Sequence, residues 1–113
     1  MALLQGDEWH VLDISGEGVV EDSRVTMSFG PEGRLGGLGS CNSFSATYAL
    51  TGEGLLTFGN PLATLKACSE PLMKQETAFF TVLKAVQHFD VDTAGVLTLV
   101  SDDGRTIRAS RSR

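Results

Sequence analysis

The amino-acid sequence predicts a mainly β protein of the α+β class, with an antiparallel sheet and one long helix. Three observations lead to this prediction. Thirteen glycines, most of them before residue 60, separate short segments in which apolar and polar residues alternate. Apolar residues recur at spacings of three and four only after about residue 69. The turn sequence Asp102-Asp103-Gly104 then divides two further strand-like segments.

The strands of the first half are predicted from alternation, as where Phe44, Ala46 and Tyr48 share one face. The predicted strands occupy residues 8–14, 25–29, 34–38, 43–50 and 55–58. A break in the alternation after Val11 predicts a bulge or a bend in the first strand. Turns at 30–33 and 51–54 are expected to join the later strands as hairpins.

The second half is predicted to contain a helix at about residues 70–88. Ser69 is a candidate N-cap, and Pro71 suits the first turn because its missing N–H is not needed there. Glu70 and Glu76 are expected on the exposed first half, where they complement the helix dipole. The apolar repeat consists of Leu72, Met73, Phe79, Phe80, Leu83 and Val86. Residues 96–100 and 105–109 are the last predicted strands.

Length and composition predict one soluble domain over residues 1–113, with a structured part at about 7–109 and a frayed tail at 110–113. The net charge of −5 disfavours nucleic acid as a partner. The only basic cluster is expected to be a solvated terminus, and consists of Arg105, Arg108, Arg111 and Arg113. No apolar run is long enough to span a membrane, and no signal peptide is visible in residues 1–8.

The two cysteines, Cys41 and Cys68, leave several interpretations open. A disulfide across their separation of 27 positions would stabilise the fold by roughly 3.5 kcal/mol, and export would favour it. Two buried, reduced cysteines are the alternative. A thiol enzyme is a weaker hypothesis, because no spacing directs His10 or His88 toward either sulfur. The spacing of a zinc finger is also missing, so no metal site is predicted.

Other polar residues are predicted to serve structure. Asn42 is interpreted as a turn residue and Thr64 as a local backbone partner, in preference to ligand contacts. Glu70 and Glu76 do not form a persuasive acid–base pair. Four aspartates lack the ligand spacing of a calcium loop and are assigned to turns and strand edges: Asp90, Asp92, Asp102 and Asp103. No catalytic residue and no cofactor are predicted.

Several segments, in this order and spacing, resemble the META domain family, which includes the heat-shock lipoprotein HslJ. The matching segments are Trp9-His10-Val11-Leu12, Gly39-Ser40-Cys41-Asn42-Ser43-Phe44, residues 62–68, Leu72 with Glu76, and residues 96–99. The matched family-motif positions are Trp9, Gly39, Cys41, Asn42, Phe44, Thr64, Cys68 and Glu76. The chain departs from the family pattern at Ser43 and at Lys66-Ala67, and it lacks the lipid-anchor cysteine of the lipoprotein members.

The resemblance implies a partly open, β-barrel-like antiparallel sheet with one helix packed against it. It also implies a bacterial cell-envelope, periplasmic or secreted setting, a link to stress response, and no enzymatic activity. The expected function is a stress-related protein-interaction or binding module of unknown ligand, with an unknown envelope protein or a small hydrophobic ligand as partner and recognition around residues 36–44. The alternative is a carrier of lipid or another small hydrophobic ligand in a barrel cavity, as in the similar secretin pilot proteins. The predicted core comprises Trp9, Val25, Met27, Phe29, Phe44, Tyr48, Phe58, Phe80, Leu83, Leu97 and Leu99.

Overall fold

The computed structural model describes residues 4–111, which form a closed antiparallel barrel with one helix packed against it. The helix, α1, spans Glu70–Ala85. The strands are β1 (Glu8–Ile14), β2 (Glu17–Gly18), β3 (Thr26–Phe29), β4 (Arg34–Leu38), β5 (Ser43–Gly52), β6 (Leu55–Phe58), β7 (Leu62–Ala63), β8 (Val86–Val91), β9 (Val96–Ser101) and β10 (Thr106–Arg111). The predicted mainly β class with a single helix is confirmed.

The barrel is a ring of eight strands in the order β1, β3, β4, β5, β6, β8, β9 and β10, closed by pairing of β10 with β1. The narrowest seam lies between β6 and β8, whose only paired residues within the described chain are Leu55 and His88. One further hydrogen bond crosses nearby, from the Phe89 N–H to the Gly54 carbonyl oxygen at 3.0 Å. The partly open sheet implied by the family resemblance is therefore a closed ring with one thin seam.

The barrel interior is filled by large apolar side chains that are excluded from water. The largest fully buried residues are Trp9, Phe79, Leu4, Met27, Leu35, Leu56, Leu83, Leu97, Leu99, Ile107, Val82 and Val86. The helix packs against β9, β6 and β10, and thereby adds Phe79, Val82 and Leu83 to this core. Burial of such side chains is the main favourable term in folding. All predicted core residues are buried except Phe80, which is half-buried.

Strand registers confirm the predicted hairpins and show that the irregularity predicted in the first strand is a shift of register. The pairing of β1 with β10 shifts between Val11 and Asp13, where the alternation of the sequence breaks. The predicted hairpin of β3 and β4 is closed by a single 3₁₀ turn at Pro31–Gly33. The predicted strand at 43–50 continues to Gly52 before the chain returns in β6.

The predicted helix end was wrong by three residues. The helix stops at Ala85, and Val86 already has extended backbone angles and pairs with Ser101 in the sheet. Val86 follows Leu83 at the helical spacing of three, so the apolar pattern continues although the backbone changes. Long-range strand pairing therefore overrides the local helical signal.

The predicted frayed tail at 110–113 was also wrong for its first two residues. Ser110 and Arg111 belong to β10 and pair with His10 and Trp9 of β1. The Arg111 guanidinium lies 4.6 Å from the centre of the Trp9 ring, and its Nε lies 2.9 Å from an oxygen of Asp7. Residues 112 and 113, including Arg113, lie outside the described chain.

The other two arginines of the predicted solvated cluster are paired as well. Two nitrogens of Arg108 donate to Oδ2 of Asp13, at 2.9 and 2.6 Å, and this contact raises the pKa of the Arg108 guanidinium. Arg105 donates to Asp103 at 3.0 Å. The partners of Arg108 and Arg111 are about a hundred residues away in the chain, so the tail composition alone could not reveal them.

No helix within residues 4–111 is long and apolar enough to cross a membrane.

Candidate functional site

Cys41 and Cys68 are joined by a disulfide that connects two surface segments. Cys41 lies in the loop between β4 and β5, and Cys68 lies at the end of the segment between β7 and the helix. The S–S distance is 2.05 Å and the two Cα atoms are 6.0 Å apart. Since the nucleophile of a thiol enzyme is a free thiolate, neither sulfur can serve as one in this state.

The carboxylate of Glu76 reaches from the helix into the loop that contains Cys41. Its Oε1 accepts the backbone N–H groups of Cys41 and Asn42 at 3.0 and 2.7 Å. Its Oε2 accepts the side-chain amide of Asn42 at 2.8 Å. Only 7% of Glu76 is exposed, and a buried carboxylate requires such charge-assisted hydrogen bonds. The prediction of an exposed Glu76 was therefore wrong, whereas Glu70 is exposed.

Asn42 extends this contact to a third part of the chain. Its Oδ1 accepts the backbone N–H of Lys66 at 2.6 Å and the hydroxyl of Thr64 at 2.8 Å. The Thr64 N–H donates in turn to the Ser43 carbonyl oxygen at 3.1 Å. Asn42 and Thr64 were interpreted as local turn and backbone partners, which was wrong, since each binds a residue 22 or more positions away. We call Cys41, Asn42, Thr64, Lys66 and Glu76 the Asn42 network.

The loop before Cys41 fits this network because of its small residues. A Cβ atom on Gly39 would lie 2.8 Å from the Phe80 ring and 3.1 Å from Oε1 of Glu76, so a side chain there would disturb both. Ser40 has a left-handed φ of 96°, which is uncommon for a residue other than glycine. Its hydroxyl donates to the Leu72 carbonyl oxygen at 3.2 Å, which fixes the loop to the helix.

The segment held by the network exposes leucine side chains to solvent. Leu65 is 98% exposed and Leu62 is 74% exposed, more than any other large apolar residue described. Thr64 and Lys66, on either side of Leu65, are both bound by the Asn42 side chain. Leu65 therefore lies exposed in an irregular segment that is fixed on both sides of it. We call residues 62–67 the displayed segment.

The remaining predicted positions lie away from the displayed segment or beneath it. Phe44 packs under the loop, with ring centres 5.5 and 5.3 Å from Phe79 and Phe80. Trp9 lies in the barrel core, where its indole N–H donates to the Leu4 carbonyl oxygen at 3.0 Å. Sequence reasoning identified these family positions but missed the exposed leucines, because exposure depends on what packs nearby and is not encoded by residue type.

The aspartates and histidines do not assemble into a metal centre in residues 4–111, where no group of three or more candidate ligands is found. Asp92 accepts the N–H groups of Ala94 and Val96, both at 2.9 Å, as a turn residue does. A hydrogen bond from the Ser101 hydroxyl, followed by one from Arg105, lowers the pKa of Asp103 to about 2. These contacts place both aspartates in turn structure.

The larger grooves described lie on the outside of the barrel. One of ≈ 510 Å³ is lined by Gly6, Ser28, Gly36 and Ser45, among others. Another of ≈ 390 Å³ lies between the β1–β2 turn and the helix, with Ile14, Val20 and Ala78 in its wall. Two smaller grooves, each of ≈ 340 Å³, adjoin Leu62 on the face of β5.

Comparison with known proteins identifies the family. The sequence matches the model of the META domain over residues 2–113, which is essentially the whole chain. The chain belongs to the META domain family. The resemblance inferred from its motifs is thereby confirmed. META domains are not known as enzymes.

Solved structures show that this META domain shares its fold with bacterial proteins. It is similar to the NMR structure of a protein from Burkholderia xenovorans, with a TM-score of 0.76 at 24% identity, over 98% of this chain and 85% of that one. A second NMR structure gives a TM-score of 0.72 at 25% identity, over 95% and 91%. A DUF4847 family protein from Bacteroides vulgatus gives 0.71 at 15% identity, over 96% and 94%. No curated protein matches the sequence.

Proposed function

We propose that this META domain is a non-enzymatic binding module of the bacterial cell envelope or of the secreted proteins, and that its partner is a protein. The observation that carries this proposal is the position of Leu65. Its side chain is 98% exposed although both neighbouring residues are held by buried Asn42. Leu62, three positions before it, is 74% exposed, so the two most exposed large apolar residues described lie in one short segment, and exposed apolar side chains that cluster are typical of a binding surface.

The disulfide supports the proposed compartment. Cys41 and Cys68 are the only cysteines of the chain, and both are used in it. Such bonds persist in the periplasm and outside the cell, whereas the cytosol keeps thiols reduced. The stress-related role implied by the family resemblance is part of the same proposal.

The lipid-carrier alternative is disfavoured by the packing of the barrel. A carrier needs an interior apolar cavity of at least ~300 Å³. The interior positions are instead occupied by fully buried residues such as Leu97, Leu99 and Ile107. The grooves that exceed this volume lie on the outer surface.

The compartment can be tested by trapping thiols in the source bacterium. Cells that express the full gene product are treated with a membrane-permeable alkylating reagent before lysis and are then fractionated. We expect the protein in the envelope or secreted fraction, with Cys41 and Cys68 alkylated only after reduction. Recovery in the cytosol with both cysteines alkylated directly would overturn the proposal.

The binding role can be tested by photo-crosslinking in the same cells. A photoreactive amino acid at Ala67, which is exposed within the displayed segment, is compared with one at Thr93, which is exposed in the β8–β9 turn. We expect a discrete adduct with another protein from position 67 and none from position 93. Equal labelling from both positions would show that the displayed segment is not a specific binding surface.

A further inference from the structure

We propose that the partner of the displayed segment offers an apolar pocket bordered by carboxylates. In this arrangement Leu65 enters the pocket, Leu62 covers its edge, and the ammonium of Lys66 pairs with the bordering carboxylates. The inference rests on the proposed function, since it specifies the chemistry of the partner at the same surface.

The shape of the displayed segment indicates a pocket on the partner. Leu65 projects from an irregular segment whose flanking residues, Thr64 and Lys66, are both fixed to one side-chain oxygen of Asn42. A projecting side chain of this kind fits a concave surface, and complete burial of a leucine side chain favours binding. Because the segment is already held in place, little of that gain is lost to conformational entropy on binding.

The charge pattern of the displayed segment indicates carboxylates on the partner. Residues 59–69 contain one charged side chain, Lys66, although the whole chain has a net charge of −5. Asn42 binds the Lys66 backbone N–H at 2.6 Å and its carbonyl oxygen at 3.4 Å, so the start of the side chain is fixed. No ion pair of Lys66 is found among residues 4–111. Its ammonium is therefore available to a partner, and such pairs mainly determine specificity.

A second copy of the chain is a poorer occupant. In a two-fold dimer through this surface, the displayed segment would face a second copy of itself. Residues 62–67 contain one lysine and no carboxylate, so Lys66 would meet another lysine and no opposite charge.

A lipid surface is also a poorer occupant. Stable attachment to a membrane generally needs two independent signals, such as a long acyl chain with a basic patch. The displayed segment has two leucines and one lysine, so it supplies neither a long acyl chain nor a basic patch. A protein pocket requires neither.

The test uses the photo-crosslinker at Ala67 in the full gene product, expressed in the source bacterium, because this position leaves Leu65 and Lys66 free to vary. Leu65→Ser should reduce the adduct at least about ten-fold, as expected for a central interface residue. Lys66→Glu should reduce it as much, because it places a carboxylate against the bordering carboxylates. Lys66→Arg, which keeps the charge, should stay within about two-fold of the unsubstituted protein. Leu12→Ser alters another exposed leucine, 40% exposed in β1, and should leave the adduct unchanged.

The outcomes separate this inference from the proposed function. An adduct that survives Leu65→Ser overturns the pocket, and one that survives Lys66→Glu overturns the carboxylates, although the binding role stands in both cases. An adduct with the mass of two copies of the chain assigns the surface to self-association and overturns the inference. Complete absence of an adduct overturns both proposals. Unchanged urea midpoints of the variants would show that their effects do not arise from unfolding.

The lipid alternative is tested in a separate experiment. Purified protein is sedimented with vesicles of phosphatidylethanolamine and phosphatidylglycerol. We expect no protein in the pellet. Sedimentation that Leu65→Ser abolishes would assign the displayed segment to lipid and overturn the protein pocket.

Discussion

Asn42 and Glu76 form a buried two-point contact in which the Asn42 N–H donates to Oε1 at 2.7 Å and the Asn42 amide donates to Oε2 at 2.8 Å. Asn42 is 3% exposed and Glu76 is 7% exposed. The oxygen of the same amide binds Thr64 and Lys66. Stability of the fold and display of Leu65 therefore depend on the same side chain.

Glu76→Gln should lower the free energy of unfolding by about 2–3 kcal/mol. The neutral amide has one acceptor oxygen for three donors, and its NH₂ group would face the amide of Asn42 or a backbone N–H. Urea unfolding of the oxidised protein measures the change. Glu70→Gln is the matched control, since Glu70 is exposed on the same helix and its dipole contribution is at most about 1 kcal/mol. Equal losses in both variants would contradict the network.

Removal of the disulfide should destabilise the fold by about 3.5 kcal/mol, from the entropy of a loop closed across 27 positions. The measurement compares urea midpoints of the protein with and without a thiol reductant. The Cys41→Ser, Cys68→Ser double variant should have the midpoint of the reduced protein in both conditions and should not respond to the reductant. A variant as stable as the oxidised protein would show that the bond does not hold the segment.

Two neighbouring glycines should respond very differently to alanine. A Cβ on Gly37 would overlap the backbone oxygen of Thr26, which cannot move without disrupting β3. Gly37→Ala should therefore cost at least about 3 kcal/mol, beyond the usual range for overpacking, or prevent folding. A Cβ on Gly36 would meet only the Phe44 backbone oxygen at 3.8 Å, an ordinary contact. Comparable thermal midpoints for Gly36→Ala and Gly37→Ala would refute this packing.

The turn at Asp103 should contribute to stability in a pH-dependent way. Its pKa falls from 3.8 to about 2, mainly because of the Ser101 hydroxyl and then Arg105. The folded chain thus binds this proton more weakly than the unfolded chain, so the contribution is complete above about pH 4 and is lost as the pH falls toward 2. The stability difference between the natural protein and Asp103→Asn should shrink across this range in urea unfolding. Asp102→Asn, in the same turn, serves as control. If the stability differences of both variants vary alike with pH, the pH dependence does not come from the contacts of Asp103.

Features with a local cause were predictable from the sequence. Alternation in residues 43–50 identified β5 because the strand has one buried and one exposed face. The break after Val11 identified the shift of register in β1. The three- and four-residue spacing identified α1, although its end was misplaced because Val86 satisfies both the helical spacing and the strand.

Features with a distant cause were not predictable. Glu76 is a charged residue in a helix and was expected to be exposed for that reason. Its burial depends on hydrogen-bond donors 34 and 35 positions away in the chain. Arg111 looked like a solvated terminal residue until Trp9 and Asp7 were placed beside it by the closure of the barrel. The candidate site was thus predictable as a set of motif residues but not as a network, because its contacts exist only once the barrel has formed.

The most direct test of the account is the backbone order of the displayed segment, measured by ¹⁵N relaxation on the oxidised protein. The account predicts order parameters near 0.85 for the amides of Thr64, Leu65 and Lys66, equal to those of the barrel strands. Values below about 0.6 at these three amides, with a rigid barrel, would show that the segment is flexible. They would contradict the claim that Asn42 holds Leu65 in a fixed position.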